Sequence, residues 1–331
     1  MAETTAAVQH PISDSNEQSP FGKFTPSEFY AKHGVSHQAE HRTNSRGFNL
    51  FTQWWSPLAP AEKIGCIAMV HGFIGESSWL LELTSIFFAK HGFLVCAIDH
   101  QGHGFSDSLD GFIHHMPDIN PVVDDCIDLF TDFRASHAPG LPAFLYSESL
   151  GGAIALLVTL KQQKGAWDGL ILNAAMCGLT PKFNPSWPLE RLLSAVAAVI
   201  PTWRVVPTGA TSPDVSYKVE WKRKLAMASP RWSGARPRTA TVLELLRVCM
   251  ELQGRFEEVE VPLLISHGGD DVVCDPACVE ELYRRASSKD KTLKIYPGLW
   301  HHMVGEEEES VNLVFGDMIA WLKARVDSKS D

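Results

Sequence analysis

Residues 144–158 read FLYSESLGGAIALLV, and the turn inside that stretch decides the fold. An apolar run of strand length stops at Ser-Glu-Ser, crosses two glycines, and resumes as AIALLVTL, which suits a buried helix. A strand that turns sharply into a helix at a serine is a nucleophile elbow. The serine takes a strained backbone angle, and the residues two before and two after it are small because the turn brings them together. This requirement chooses between the two serines. Ser149 is flanked by Ser147 and Gly151, whereas Ser147 is preceded by Leu145, which crowds the turn. Ser149 is therefore the nucleophile candidate, and Ser147 stands where glycine is usual. A strand-end site tolerates that hydroxymethyl group unless it needs positive φ. The helix N-terminus behind Ser149 favours developing negative charge. Alone, the motif reads equally well as a strand-to-helix turn with a capping serine.

Similar apolar runs recur at 64–72, 93–99, 169–175, 261–269 and 292–298, separated by helical patterns at 77–91, 121–136, 150–164, 276–288 and 309–325. The runs are continuous rather than alternating, which suits strands covered on both faces. The repetition predicts an α/β fold: a mostly parallel central sheet flanked by helices, with the ligand site at the carboxyl ends of the strands. Residues 181–240 break the rhythm. They are rich in proline and tryptophan, and Leu189, Leu192, Leu193, Val196, Val199 and Ile200 fall on one helical stripe. We expect a helical cap over 181–240, a core from 21–180 and 241–326, and a mobile polar tail over 1–20.

The net charge of -10 in 331 residues excludes a general nucleic-acid binder. Seven cysteines occur without a C-x-x-C pair or a metal-type cluster, which predicts reduced thiols and no metal or other cofactor. The N-terminal segment has no signal-like apolar core, and no run of eighteen apolar residues occurs, so a cytoplasmic chain without a membrane span is expected.

A serine nucleophile needs a base and an orienting carboxylate, and elbow enzymes carry them in the order Ser, Asp/Glu, His. Two later apolar runs end in HGGDDVVCD and YPGLWHHM. Both lie past the carboxyl end of a predicted strand, so the acid is Asp271 or Asp270 and the base His301 or His302. The oxyanion needs two backbone donors. Leu150 N–H follows the nucleophile, and Phe73 N–H lies in MVHGFIGES (69–77), where Gly72 and Gly75 admit close approach.

These stretches, with NSRGFNLFTQWW (44–55), DHQGHGFSD (99–107) and ASPRWSGARPR (228–238), make the chain similar to α/β-hydrolases of the monoacylglycerol lipase type. The resemblance is to the plant branch that includes caffeoylshikimate esterase, and it covers nearly everything after residue 44. It implies Ser149 as nucleophile, Asp271 as acid, His301 as base, and Phe73 and Leu150 as oxyanion donors. Glu148 matches a variant with Glu before the nucleophile, and Ser147 departs from the usual Gly. Ile74, Glu148 and Trp300 are substrate-pocket candidates. The implied activity is hydrolysis of a small-molecule ester, of monoacylglycerol or hydroxycinnamoyl type. The same triad also serves acyltransferases, and the fold also hosts slow or non-catalytic ligand binders. Basic residues of the cap (Lys218, Lys222, Arg223, Lys224, Arg231, Arg236, Arg238) and its apolar stripe are candidates for peripheral membrane contact. The acidic run GEEEES (305–310) suits the start of the last helix and is given no catalytic role.

Overall fold

Strands β3 (Gly65–Val70), β4 (Phe93–Ile98), β5 (Ala143–Glu148), β6 (Gly169–Asn173) and β7 (Leu263–Gly268) are buried along nearly their whole length. Their neighbouring side chains go to opposite faces: Cys66, Ala68 and Val70 join one apolar cluster, Ile67 and Met69 the other. With both faces covered, a polar residue has no favourable place on either, which explains the continuous apolar runs. The computed structural model describes residues 9–180, 195–204 and 213–330.

With β1 (Val35–Thr43), β2 (Asn49–Pro57) and β8 (Lys291–Tyr296), the strands form one sheet in the order β1-β2-β4-β3-β5-β6-β7-β8. From β4 to β8 all pairings are parallel, and β1 and β2 add an antiparallel edge. Helices α1 (Pro26–Lys32) and α2 (Leu80–Lys90) supply one face, and α3 (Asn120–His137) and α4 (Leu150–Lys161) the other. The sheet is the predicted one, with the β1–β2 hairpin added. Edge strand β1 carries Glu40, His41 and Arg42 and is largely exposed, so its sequence lacks the apolar signal of the interior strands.

Residues 9–20 correct the expected tail. His10 is buried, contacts Phe87 and Phe315 with ring centroids 5.2 and 4.5 Å away, and donates its N–H to Asn312 Oδ1 at 2.9 Å. Pro11 and Ile12 are buried with it. Three anchoring residues in a polar stretch leave no trace in composition, yet they pin the chain.

After β6, the described part of the 181–240 segment comprises α5 (195–199), α6 (Pro213–Ser216) and α7 (Glu220–Met227). Leu189, Leu192 and Leu193 of the apolar stripe lie outside the described residues. Val199 is 80% exposed, while Val196 and Ile200 are half-buried. α7 docks on the body of the protein through buried Leu225, whose carbonyl accepts the Trp79 indole N–H at 2.7 Å. The chain then enters α8 (Thr239–Gln253), α9 (Pro276–Arg285) and the terminal α10 (Glu308–Ser330). No helix among the described residues is long and apolar enough to cross a membrane, and all seven cysteines are free.

Candidate active site

Ser149 sits between the last residue of β5 and the first of α4 with φ 53° and ψ −121°. That region is costly for a residue with a Cβ, and it aims the side chain out of the turn. Space explains the small neighbour on the helical side. A Cβ on Gly151 would lie 2.2 Å from the Val70 carbonyl oxygen. On the strand side, Ser147 keeps negative φ and donates its hydroxyl to the Ile171 carbonyl at 3.1 Å. It is fully buried in the sheet, so its hydroxymethyl group does not narrow the site.

Of the two acid and two base candidates, one pair meets. His301 Nδ1 lies 2.7 Å from Asp271 Oδ2. Asp271 Oδ1 accepts the N–H groups of Val273 and Cys274 at 2.8 and 2.9 Å, and His267 Nε2 lies 3.1 Å from Oδ2. Burial pushes the Asp271 carboxyl upward, but the hydrogen bonds and charges of His267 and His301 outweigh it and hold the group well below the usual carboxylate range. Asp270 points to solvent. His302 is held down at about 3, first by burial and then by the charge of His301, and stacks on Tyr217 at 4.4 Å.

Ser149 and His301 open into one cavity of about 180 Å³. Its lining includes Phe73, Ile74, Glu148 and Tyr217. Trp300, expected there, is not among its lining residues, and its backbone N–H is bound by Glu306 at 2.5 Å. Gly72 brings the loop after β3 against Ser149, since a Cβ there would meet Ser149 Cβ at 3.0 Å. Leu150 opens α4, so its N–H has no acceptor within the helix. The loop carrying Phe73 is held by His71, whose Nδ1 lies 2.8 Å from the Gly72 carbonyl oxygen and whose Nε2 accepts the His100 N–H at 3.0 Å. Burial keeps His71 neutral, at about 4. Asp99 ties the same loop to the β4 exit through the N–H groups of Ser77 and Phe105, at 2.6 and 2.8 Å.

Two further carboxyls face the cavity. Burial raises Glu148, opposed by a hydrogen bond from the Tyr146 hydroxyl at 2.5 Å. Burial also raises Glu76, which accepts the Ser229 hydroxyl at 2.5 Å. Sequence reading missed His71, Asp99, Glu76, Tyr217 and Cys274. His71 and Asp99 lie in the quoted stretches around HGF and DHQGHG, where a buried polar residue beside a glycine turn was the available signal. Cys274 supports the site through its backbone N–H to Asp271 Oδ1, while burial drives its thiol well above the ordinary range.

A mostly parallel sheet, a strained serine at a strand-to-helix turn and a buried Asp–His pair on the same rim define an α/β-hydrolase. The chain belongs to the Hydrolase_4 family, described as serine aminopeptidase, S33, whose model matches residues 61–308. It is 32% identical to caffeoylshikimate esterase of Arabidopsis thaliana over 308 residues, 92% of this chain and 91% of that protein. Human monoglyceride lipase is 29% identical over 86% of this chain and 90% of its own length. The fold matches a soluble variant of Saccharomyces cerevisiae monoglyceride lipase in complex with a substrate analog, with a TM-score of 0.74 at 22% identity, over 88% of this chain and 95% of that one.

Proposed function

We propose that the protein is a serine carboxylic-ester hydrolase in which Ser149 is the nucleophile, His301 the general base and Asp271 the orienting acid. The observation that carries this reading is the strained Ser149 opening into the same cavity as a histidine already paired with a buried carboxylate. Asp271 fixes the Nδ1–H tautomer of His301, leaving Nε2 to take the Ser149 proton as Oγ attacks the ester carbonyl. The N–H groups of Phe73 and Leu150 receive the oxyanion. His301 then protonates the departing alcohol, and water releases the acyl group by the reverse sequence. The substrates are monoesters of monoacylglycerol or hydroxycinnamoyl type, in line with the relatives. The cavity supports this through an apolar wall (Phe73, Ile74) and polar groups (Glu148, Tyr217) for an alcohol portion with hydroxyls. A fluorophosphonate probe and a panel of both ester types, tested with wild type and Ser149→Ala, decide the matter. Labelling and hydrolysis are expected in wild type only, and labelling that survives in the variant overturns the assignment.

The described parts of residues 181–240, 195–204 and 213–240, act in this reading as a cap that also touches membrane surfaces. Exposed Val199 and Trp203, at 80% and 60%, lie in the same segment as Arg204 and support it. Lys222, counted in that basic group from sequence, is buried and unavailable to lipid. Sedimentation with vesicles containing anionic lipid tests the contact. Wild type is expected in the pellet and a Val199→Asp, Trp203→Asp variant in the supernatant, whereas equal pelleting of both counts against it.

A further inference from the structure

Glu306 does not behave as a helix-start residue. It is 1% exposed and lies before α10, whose first turn holds Glu308 and Glu309. Its Oε1 accepts the backbone N–H of Trp300, the residue before His301, at 2.5 Å. A buried carboxylate is costly unless paired and hydrogen-bonded, and the balancing charges come from the segment around α7. Lys218 Nζ lies 3.8 Å from Glu306 Oε2 and donates to the Gly298 carbonyl at 2.8 Å. Lys222, itself buried, donates to the Glu306 carbonyl at 2.5 Å. The backbone repeats the connection. His302 N–H donates to the Ser216 carbonyl and Val219 N–H to the Gly305 carbonyl, both at 3.0 Å. Residues 216–222 and 298–306 are thus bound along their length, and the base-bearing loop is held from the cap side as well as from Asp271.

We infer that Glu306 is a positioning residue for His301: its carboxylate fixes the loop at Trp300, and the segment over the cavity holds Glu306 in place, Lys218 facing the carboxylate and Lys222 binding the main-chain carbonyl. The cap segment and the base are therefore one mechanical unit, and disturbing the cap end of the latch disturbs proton transfer. The inference rests on the proposed roles of Ser149 and His301. Reacting groups must be held to within a fraction of an ångström, and a displacement of about 1 Å costs on the order of 100-fold in rate.

The test compares Glu306→Ala, Glu306→Gln and Lys222→Met with wild type, using a fluorophosphonate for labelling rate and p-nitrophenyl butyrate for kcat and KM. In Glu306→Ala, kcat and labelling rate are expected to fall on the order of 10- to 100-fold, with KM within about threefold. Glu306→Gln keeps an acceptor for the Trp300 N–H and is expected to recover to within about threefold of wild type. Lys222→Met is expected to slow labelling about threefold or more, in the same direction. A folded Glu306→Ala protein that labels at the wild-type rate overturns the inference. So does a Gln variant as slow as the Ala variant. If Glu306→Ala does not fold, wild-type labelling in Lys222→Met overturns it instead. Failure of the nucleophile assignment looks different: wild type itself is then not labelled, or Ser149→Ala is labelled equally.

Discussion

His267 and His301 converge on the same oxygen of Asp271, at 3.1 and 2.7 Å. The carboxylate is therefore anchored from inside the β7 strand end as well as from His301. An Asp271→Asn substitution keeps the shape, but its amide offers His301 a donor where an acceptor is needed. We expect kcat to fall on the order of 10,000-fold with little change in KM, as for the wrong histidine tautomer in other serine triads. Steady-state hydrolysis of a short p-nitrophenyl ester measures this, and a loss under tenfold counts against the assigned role.

Ser147 is the one departure from the family pattern in the elbow. Because its hydroxyl is spent on the Ile171 carbonyl inside the sheet, Ser147→Gly should leave turnover within about twofold and cost about 1 kcal/mol of stability, through one lost hydrogen bond and a freer unfolded chain. Parallel denaturation and activity assays check both halves. A large rise in turnover would instead show that this serine throttles the enzyme.

Gly151 has no room for a side chain, with the Val70 carbonyl oxygen 2.2 Å from any Cβ. Gly151→Ala must push β3 and α4 apart beneath Ser149. The expected cost is about 3 kcal/mol or more, visible as a lowered Tm or loss of soluble protein. A variant with wild-type Tm would contradict the packing described.

Glu82 is buried in the first turn of α2, beside the Tyr30 hydroxyl, and burial raises its carboxyl from 4.5 to about 7. The folded state therefore binds a proton more readily than the unfolded chain. Stability is full below about pH 4.5 on this account and falls as pH rises towards 7, because the group must ionise in a dry place. Glu82→Gln removes that penalty, on the order of 3 kcal/mol at pH 8. The Tm difference between variant and wild type should grow from pH 5 to pH 8, and a constant difference rules this out.

The sheet interior was readable because strands buried on both faces tolerate only apolar residues, so β3 to β7 announce themselves. The β1–β2 hairpin was not, since a solvent-facing edge strand such as VSHQAEHRT carries the composition of a loop. Residues 9–20 depart from the expected tail for a related reason: His10, Pro11 and Ile12 are buried against partners far away in the chain, on α2 and α10. Trp300, a pocket candidate from the sequence, does not line the cavity, and its polar contact is a backbone N–H to Glu306, which no side-chain pattern encodes.

The strained turn at Ser149 was legible in the chain alone, because an elbow imposes size limits on positions two residues away, and such local sterics are written locally. Resemblance favours Asp271 over Asp270 and His301 over His302, and the meeting of Asp271 with His301 has its physical cause in space. One aspartate folds onto two histidines and two backbone N–H groups, while its neighbour turns to solvent. Glu306 makes the same point most sharply. In the chain it is the first of four consecutive glutamates, and only contact with Trp300, Lys218 and Lys222 sets it apart. Charges and hydrogen bonds act over a few ångströms of space regardless of separation along the chain, so their partners appear only once the segments have folded together.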